Sequence, residues 1–147
     1  MHRYWTGDDI IEVEEAKDFT RLAQIALKVI GRIPDPIVQV CGPITSGGFA
    51  SVELNLKVFE MAIDSLERKG FNVFDQMPLE NAMARIQKEN YTDPDKARVD
   101  ILNQVYLPIF ESGRIKMLAM LPGWQDSIGA VWERDQGIRL GILVLRF

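Results

Sequence analysis

The chain has 147 residues, 47% hydrophobic and 26% charged, enough for one domain with a buried core. Its net charge of -4 argues against general affinity for nucleic acid or an anionic membrane surface. The one cysteine, Cys41, excludes an intrachain disulfide and fits a reducing cytosol, and the one histidine, His2, is terminal, which argues against a Ser-His-Asp triad or a histidine-rich metal site.

Residues 1 to 17 are polar, and Ile11 and Val13 alternate with Glu12 and Glu14, the pattern of a short edge strand. No signal-peptide run and no stretch of membrane-spanning length is expected, so the expected location is the cytoplasm. Phe19, Leu22, Ala26, Val29 and Ile30 recur at helical spacing, with Asp18 as cap and Gly31 and Pro34 as stop. Ile33-Pro-Asp-Pro36 is a stiff connector. Ile37 to Cys41 is the first core strand, and its apolar run suggests burial on both faces, as in parallel sheets.

A Gly-rich turn follows, then a long amphipathic helix carrying Val52, Leu56, Phe59, Ile63 and Leu66, closed by Gly70. Phe71 to Phe74 is the second strand, and Asp75-Gln-Met-Pro78 is the turn after it. Residues 79 to 89 read as a short, lid-like helix. Asp93-Pro94 starts a helix with Ala97, Ile101, Val105 and Ile109 on its apolar face, which Pro108 should kink or end. Met117 to Leu121 is the third strand. Pro122-Gly123 ends it sharply, and Asp126 or Ser127 caps a helix that starts at Ile128. Gly141 stops that helix, and Ile142 to Leu145 is the fourth strand.

Strands alternating with helices imply a single α/β domain over residues 1–147: an open, mainly parallel, Rossmann-like (flavodoxin-like) sheet of four or five strands in the order 2-1-3-4, with helices on both faces. Residues 1–36 form an N-terminal helical extension. It serves either an interface or the cover of its own sheet.

Two strand-to-helix turns carry the candidate chemistry. Gly42-Pro-Ile-Thr-Ser-Gly-Gly48 has three glycines and two hydroxyls, which let backbone approach a ligand and present amides to an anion. It fits neither a P-loop nor a dinucleotide fingerprint, and a tight turn with no ligand stays equally open. Ser127 could donate to the same anion or only cap its helix. Glu133 lies about two turns into that helix, near the carboxyl end of a parallel strand, where open sheets bind ligands. Gly129 and Ala130 beside it leave room for one. The alternative is an exposed glutamate paired with Arg134 or Arg139. Asp100 is either a second carboxylate or a solvated helix residue, and Trp124 either stacks on a base or covers the core edge. Cys41 reads as a small buried strand residue, since no histidine or cation flanks it.

Taken together, Val40-Cys-Gly-Pro-Ile-Thr-Ser-Gly-Gly48, the helix residues Asn55, Phe59, Leu66 and Gly70, and Gly123-Trp-Gln-Asp-Ser-Ile-Gly-Ala-Val-Trp-Glu133 resemble the nucleoside 2-deoxyribosyltransferase-like superfamily. That superfamily includes the deoxynucleoside 5′-monophosphate N-glycosidases and a group of short uncharacterised bacterial and phage proteins. The resemblance covers residues 37 to 147. It implies that Glu133 is a nucleophile attacking the sugar C1′, that Asp100 is the acid, and that Ser127 binds a 5′-phosphate. It also implies substrate contacts from Gly42, Pro43, Ile44, Thr45, Ser46, Gly47, Gly48, Asn55, Gln76, Trp124, Asp126 and Gly129. No metal or other cofactor is implied. The implied partners are a small nucleoside or nucleotide and further copies of the chain, as a dimer or tetramer.

Three positions depart from the pattern. Gln39 stands where the family has a tyrosine, Thr45 where some members have an arginine, and Arg114 and Lys116 where an acid precedes the third strand. The loss of the tyrosine removes a hydrogen bond to Glu133, which Tyr106 or Tyr91 would have to replace. The expected function is therefore cleavage or transfer of an N-glycosidic bond, by a hydrolase or a transferase. The alternatives are a nucleotide sensor without turnover and a partner-binding protein.

Overall fold

The structure is a computed structural model that describes residues 2–45, 48 and 51–147. Four strands, β1 (Ile37–Cys41), β2 (Asn72–Val73), β3 (Ile115–Met120) and β4 (Leu143–Arg146), form one sheet in the order β2-β1-β3-β4. All three pairings are parallel, with Val40 opposite Ala119 and Ala119 opposite Leu145. The expected architecture and strand order are present. The second strand keeps only two of its four expected residues. Phe71 is partly exposed, whereas Phe74 is buried and its N–H donates to Val38 O at 2.9 Å.

Side chains of a strand alternate between faces, so β1 divides its residues between two layers. Val38 and Val40 meet Phe59, Ile63 and Leu66 of α3 (Val52–Arg68), together with Val73, Ala119 and Leu121. Ile37 and Cys41 point the other way, into a larger core built with Leu118, Met120, Phe74 and several helices. Gln39 shares that second face by parity.

The helices over the second face include α1 (Gly7–Glu15) and α2 (Phe19–Ile30). The edge strand expected around Ile11 and Val13 is instead α1. The reason is a capping box: Asp9 N donates to Thr6 Oγ1 at 3.1 Å, and Thr6 N donates to Asp9 Oδ2 at 2.8 Å. Val13 turns into the core and Ile11 into solvent. The bounds of α2 are those its apolar spacing predicts. Its residues Phe19, Leu22, Ile25, Ala26, Val29 and Ile30 are all buried. Buried residues of α1 and α2 thus belong to the core on the second face of the sheet, with α2 packed against the segments Leu102–Tyr106 and Leu107–Glu111.

The helix after Asp93-Pro94 also differs from expectation. Pro108 does not end it. The chain runs from α5 (Pro94–Ile101) through a π-helical turn at Leu102–Tyr106 into α6 (Leu107–Glu111). Proline sits at the start of α6, where its missing N–H is tolerated. The widened turn absorbs the extra residue, and such turns concentrate at functional sites.

The remaining helices, α4 (Glu80–Asn90) and α7 (Ile128–Arg139), flank the carboxyl ends of β2 and β3. Helix α7 lies close on the sheet because position 137 is glycine. A Cβ there would fall 2.6 Å from Leu118 Cδ1. Among the described residues, no helix is long and apolar enough to cross a membrane.

Candidate active site

The carboxyl ends of β1, β2 and β3 open into a cavity of about 330 Å³, within the usual range for small-molecule sites. The turn after β1 supplies Gly42, Ile44 and Thr45, the turn after β2 supplies Gln76, and α4 supplies Glu80, Met83 and Gln87. Helix α5 brings Arg98, the π-turn brings Leu102 and Tyr106, and α7 brings Ser127, Gly129, Ala130 and Glu133. Two turns distant in sequence thus meet at one site. Their approach needs a glycine at 42, because a Cβ there would lie 2.8 Å from the Leu121 side chain.

Glu133 is buried at 8% exposure, with α7 carrying it over β1. Gln39 Nε2 donates to Glu133 Oε2 at 3.1 Å. The Cys41 thiol is a second hydrogen-bonding neighbour. The expectation that Tyr106 or Tyr91 must orient Glu133 is corrected here. Gln39 itself supplies that hydrogen bond.

Burial pushes the Glu133 carboxyl up to about 8; the Cys41 thiol pulls it down, the Glu80 charge raises it, and the Gln39 amide lowers it. Glu80, half-buried in the same cavity, is pushed up to about 7 by burial. Burial also pushes up the Tyr106 phenol, helped by Glu80 and Glu133, and the Cys41 thiol, helped by Glu133. Burial thus raises both carboxyls toward neutrality, and the Glu80 charge adds to the rise at Glu133.

At the start of α7, Ser127 Oγ accepts from Ala130 N at 3.2 Å, so the capping role is present. The hydroxyl keeps its own proton to donate, and Ser127 also lines the cavity. Gly129 lines it too, and a Cβ on Gly129 would meet no atom within 4 Å. Gln76 Nε2 donates to Val40 O at 2.7 Å and ties the second turn to β1. Gln76 Oε1 and Gln39 Oε1 are buried without a partner among the described residues. Leaving such an acceptor unpaired costs about 1–3 kcal/mol unless a ligand or solvent supplies a donor.

Not every residue expected at the site reaches the cavity. Asp100 does not line it. Its Oδ2 accepts from Tyr91 O–H at 2.5 Å, which ties it to the end of α4 and raises the Tyr91 phenol, already raised by burial, to about 12. Asn55 is buried behind the first turn, where Nδ2 donates to Ile44 O at 2.9 Å. Pro43 is also buried in that turn, and Gly48 is exposed on it with φ 61°. Trp124 is half-buried away from the cavity, beneath the Arg134 guanidinium at 5.1 Å, and Asp126 is exposed. Ser46 and Gly47 lie outside the described residues.

Sequence reasoning missed Glu80 and Arg98 as cavity residues, while Tyr106, named as a possible partner of Glu133, does line the cavity. For Glu80 there was a signal. It opens the helix after β2, so it stands at the same sheet end as the other two turns. Arg98 is the one cation on the cavity wall among the described residues, and its partner Asp95 at 3.1 Å is exposed. No protein-family model, no curated protein and no solved structure matches this chain.

Proposed function

We propose that the protein cleaves or transfers the N-glycosidic bond of a deoxynucleoside or its 5′-monophosphate, with Glu133 as nucleophile. The observation that carries this reading is a carboxylate on the floor of a cavity at the carboxyl ends of the strands, held by an amide donor from the neighbouring strand. A glutamate used for packing or surface charge needs neither the cavity nor the aim. The resemblance of Gly123 to Glu133 to the superfamily signature adds the reaction type. In the reaction, a Glu133 oxygen attacks C1′ and the C1′–N bond breaks, leaving a glycosyl ester. Water or a second base then attacks C1′ and returns the carboxylate, the logic of a retaining glycosidase.

The anionic end of a substrate has donors available. They are the amides of the Gly42 turn, the hydroxyls of Thr45 and Ser127, and the Arg98 guanidinium. A dianionic phosphate would replace the exposed Asp95 as partner of Arg98, and such surface pairs are worth only about 0–1 kcal/mol. The raised Glu133 carboxyl favours one second reading, a nucleotide sensor that binds without turnover. A homo-oligomer belongs to the same proposal, supported by exposed apolar residues Leu143, Leu145 and Phe147 at the β4 edge. Light scattering should give a multiple of the chain mass.

The test is incubation with each deoxynucleoside and its monophosphate, with free base followed by chromatography. Wild type should release base, and Glu133→Gln should lose at least about 10³-fold. Binding with no release from any substrate would replace the enzyme by the sensor.

A further inference from the structure

We propose that Glu80, not Asp100, protonates the departing base and later activates the water. The inference rests on the glycosidase reading of Glu133. A displacement at C1′ needs a proton for the leaving nitrogen, and the donor must stand in the same cavity as the nucleophile. Glu80 does, at the first turn of α4, whereas Asp100 is tied to Tyr91 outside the cavity. The charge of Glu80 reaches Glu133 on α7 and Tyr106 on the π-turn, so the three groups share one space. The other ionisable groups facing that space are Cys41 of β1 and Arg98 of α5. Cys41 is fully buried, burial and the two carboxyls push the Tyr106 phenol up, and Arg98 cannot release a proton near neutrality, which leaves Glu80 to carry it. A position half open to the cavity also suits contact with a base, while Glu133 lies deeper.

The steps balance as follows. Glu133 Oε forms a bond to C1′ as the C1′–N bond breaks, and the electron pair goes to the base. The Glu80 carboxyl gives its proton to the base nitrogen and becomes a carboxylate. In the second step that carboxylate takes a proton from water as the water oxygen bonds to C1′. The ester bond to Glu133 breaks, and its electron pair restores the Glu133 carboxylate. The nucleophile must be ionised and the acid protonated, so the rate follows a bell. The rate rises as Glu133 ionises and falls as Glu80 loses its proton, and because Glu133 holds its proton to higher pH than Glu80, the reacting form is the minor one of the two singly protonated forms. Both carboxyls are held up near neutrality by burial, so the bell lies above the ordinary carboxylate range.

Two leaving groups separate acid catalysis from a structural role. A natural base needs a proton to leave, and 4-nitrophenolate on 2-deoxyribose 5-phosphate does not. Glu80→Gln keeps the shape of the side chain. It should cut base release by about 10²–10⁴-fold and remove the alkaline limb. On the nitrophenyl substrate it should give a burst of about one equivalent within tenfold of the wild-type rate, then stall for want of a base. Asp100→Asn should stay within about threefold of wild type on both substrates. A Glu80→Gln burst slowed as much as its base release would overturn the proposal, as would wild-type rates on both substrates or an equal loss in Asp100→Asn. Glu133→Gln identifies the other failure. If it also matches wild type, the nucleophile assignment falls as well. If it is dead on both substrates while Glu80→Gln is normal, only Glu80 falls.

Discussion

Asp9 and Glu133 are both buried carboxyls, and the molecule treats them in opposite ways. Asp9 is fully buried, with Arg32 Nη1 at 2.5 Å, Lys28 Nζ at 3.3 Å and the Thr6 N–H all turned toward it. The hydrogen bond from Arg32 leads in holding its carboxyl well below the usual range, against the opposing effect of burial. Among the described residues Glu133 has one amide and one thiol for hydrogen-bonding neighbours, no cation paired with it, and a second carboxyl across the cavity. Burial therefore wins there and the group is pushed up. A fold that needs a buried acid for stability surrounds it with donors. A fold that leaves one short of donors, facing a cavity, holds it ready for something that arrives. The first carboxyl locks α1 to α2, and the second sits between the two strand-end turns.

The contrast makes opposite predictions about stability and pH. The depressed Asp9 group contributes stability that is fully present above its ordinary value of 3.8 and is lost as pH falls below it. Asp9→Asn should therefore destabilise the fold by about 2–4 kcal/mol at pH 7, with the penalty shrinking toward pH 3. Denaturant titrations at both pH values check this. A pH-independent loss would mean that packing or the cap, not charge, is what Asp9 provides.

Glu133 runs the other way. Its native form holds a proton that the unfolded chain releases near 4.5, so stability falls as pH climbs from there to about 8. Glu133→Gln removes that cost. It should be more stable than wild type by about 1–3 kcal/mol at pH 9 and nearly equal at pH 4.5, while losing activity. Thermal melts across the range decide it. A variant less stable than wild type at pH 9 would make Glu133 a structural acid like Asp9.

The smallest effect belongs to Ser127, which both caps α7 and lines the cavity. Ser127→Ala should cost about 1 kcal/mol of stability, as lost caps do. It should weaken monophosphate binding by about tenfold more than nucleoside binding, measured by calorimetry. Equal losses for the two ligands would leave Ser127 as a cap alone.

How much of this could be read from the chain depends on the physical signal each feature leaves. The four strands and their order were legible because apolar runs such as Ile37 to Cys41 leave little choice of environment. Helix α2 was legible to the residue because its apolar spacing and Asp18 cap agree. Glu133 and Ser127 were legible as neighbours of a turn, since the strand before them and the helix after them fix where they stand. The capping box that made α1 a helix was present in Thr6 and Asp9, but the alternation of Ile11 and Val13 with glutamates masked it. The role of Gln39 was recoverable in principle. It shares a face with Ile37 and Cys41, and a glutamine buried there must find a partner. Asp100 was misplaced because its tie to Tyr91 depends on tertiary approach, which no local pattern shows. Glu80 was passed over because its helix looked like a polar lid. Its burial comes from the neighbouring α5 and π-turn, which no local pattern encodes.

The central claim is that Glu133 forms a bond to the sugar. Acid quench of wild-type protein during turnover of a deoxynucleoside monophosphate, followed by intact mass and peptide mapping, tests it most directly. The account predicts a deoxyribosyl phosphate adduct on the tryptic peptide that spans Met117 to Arg134, located on Glu133 and absent from Glu133→Gln. Base release by wild type with an adduct on another residue, or with Glu133→Gln still turning over at the wild-type rate, would contradict it.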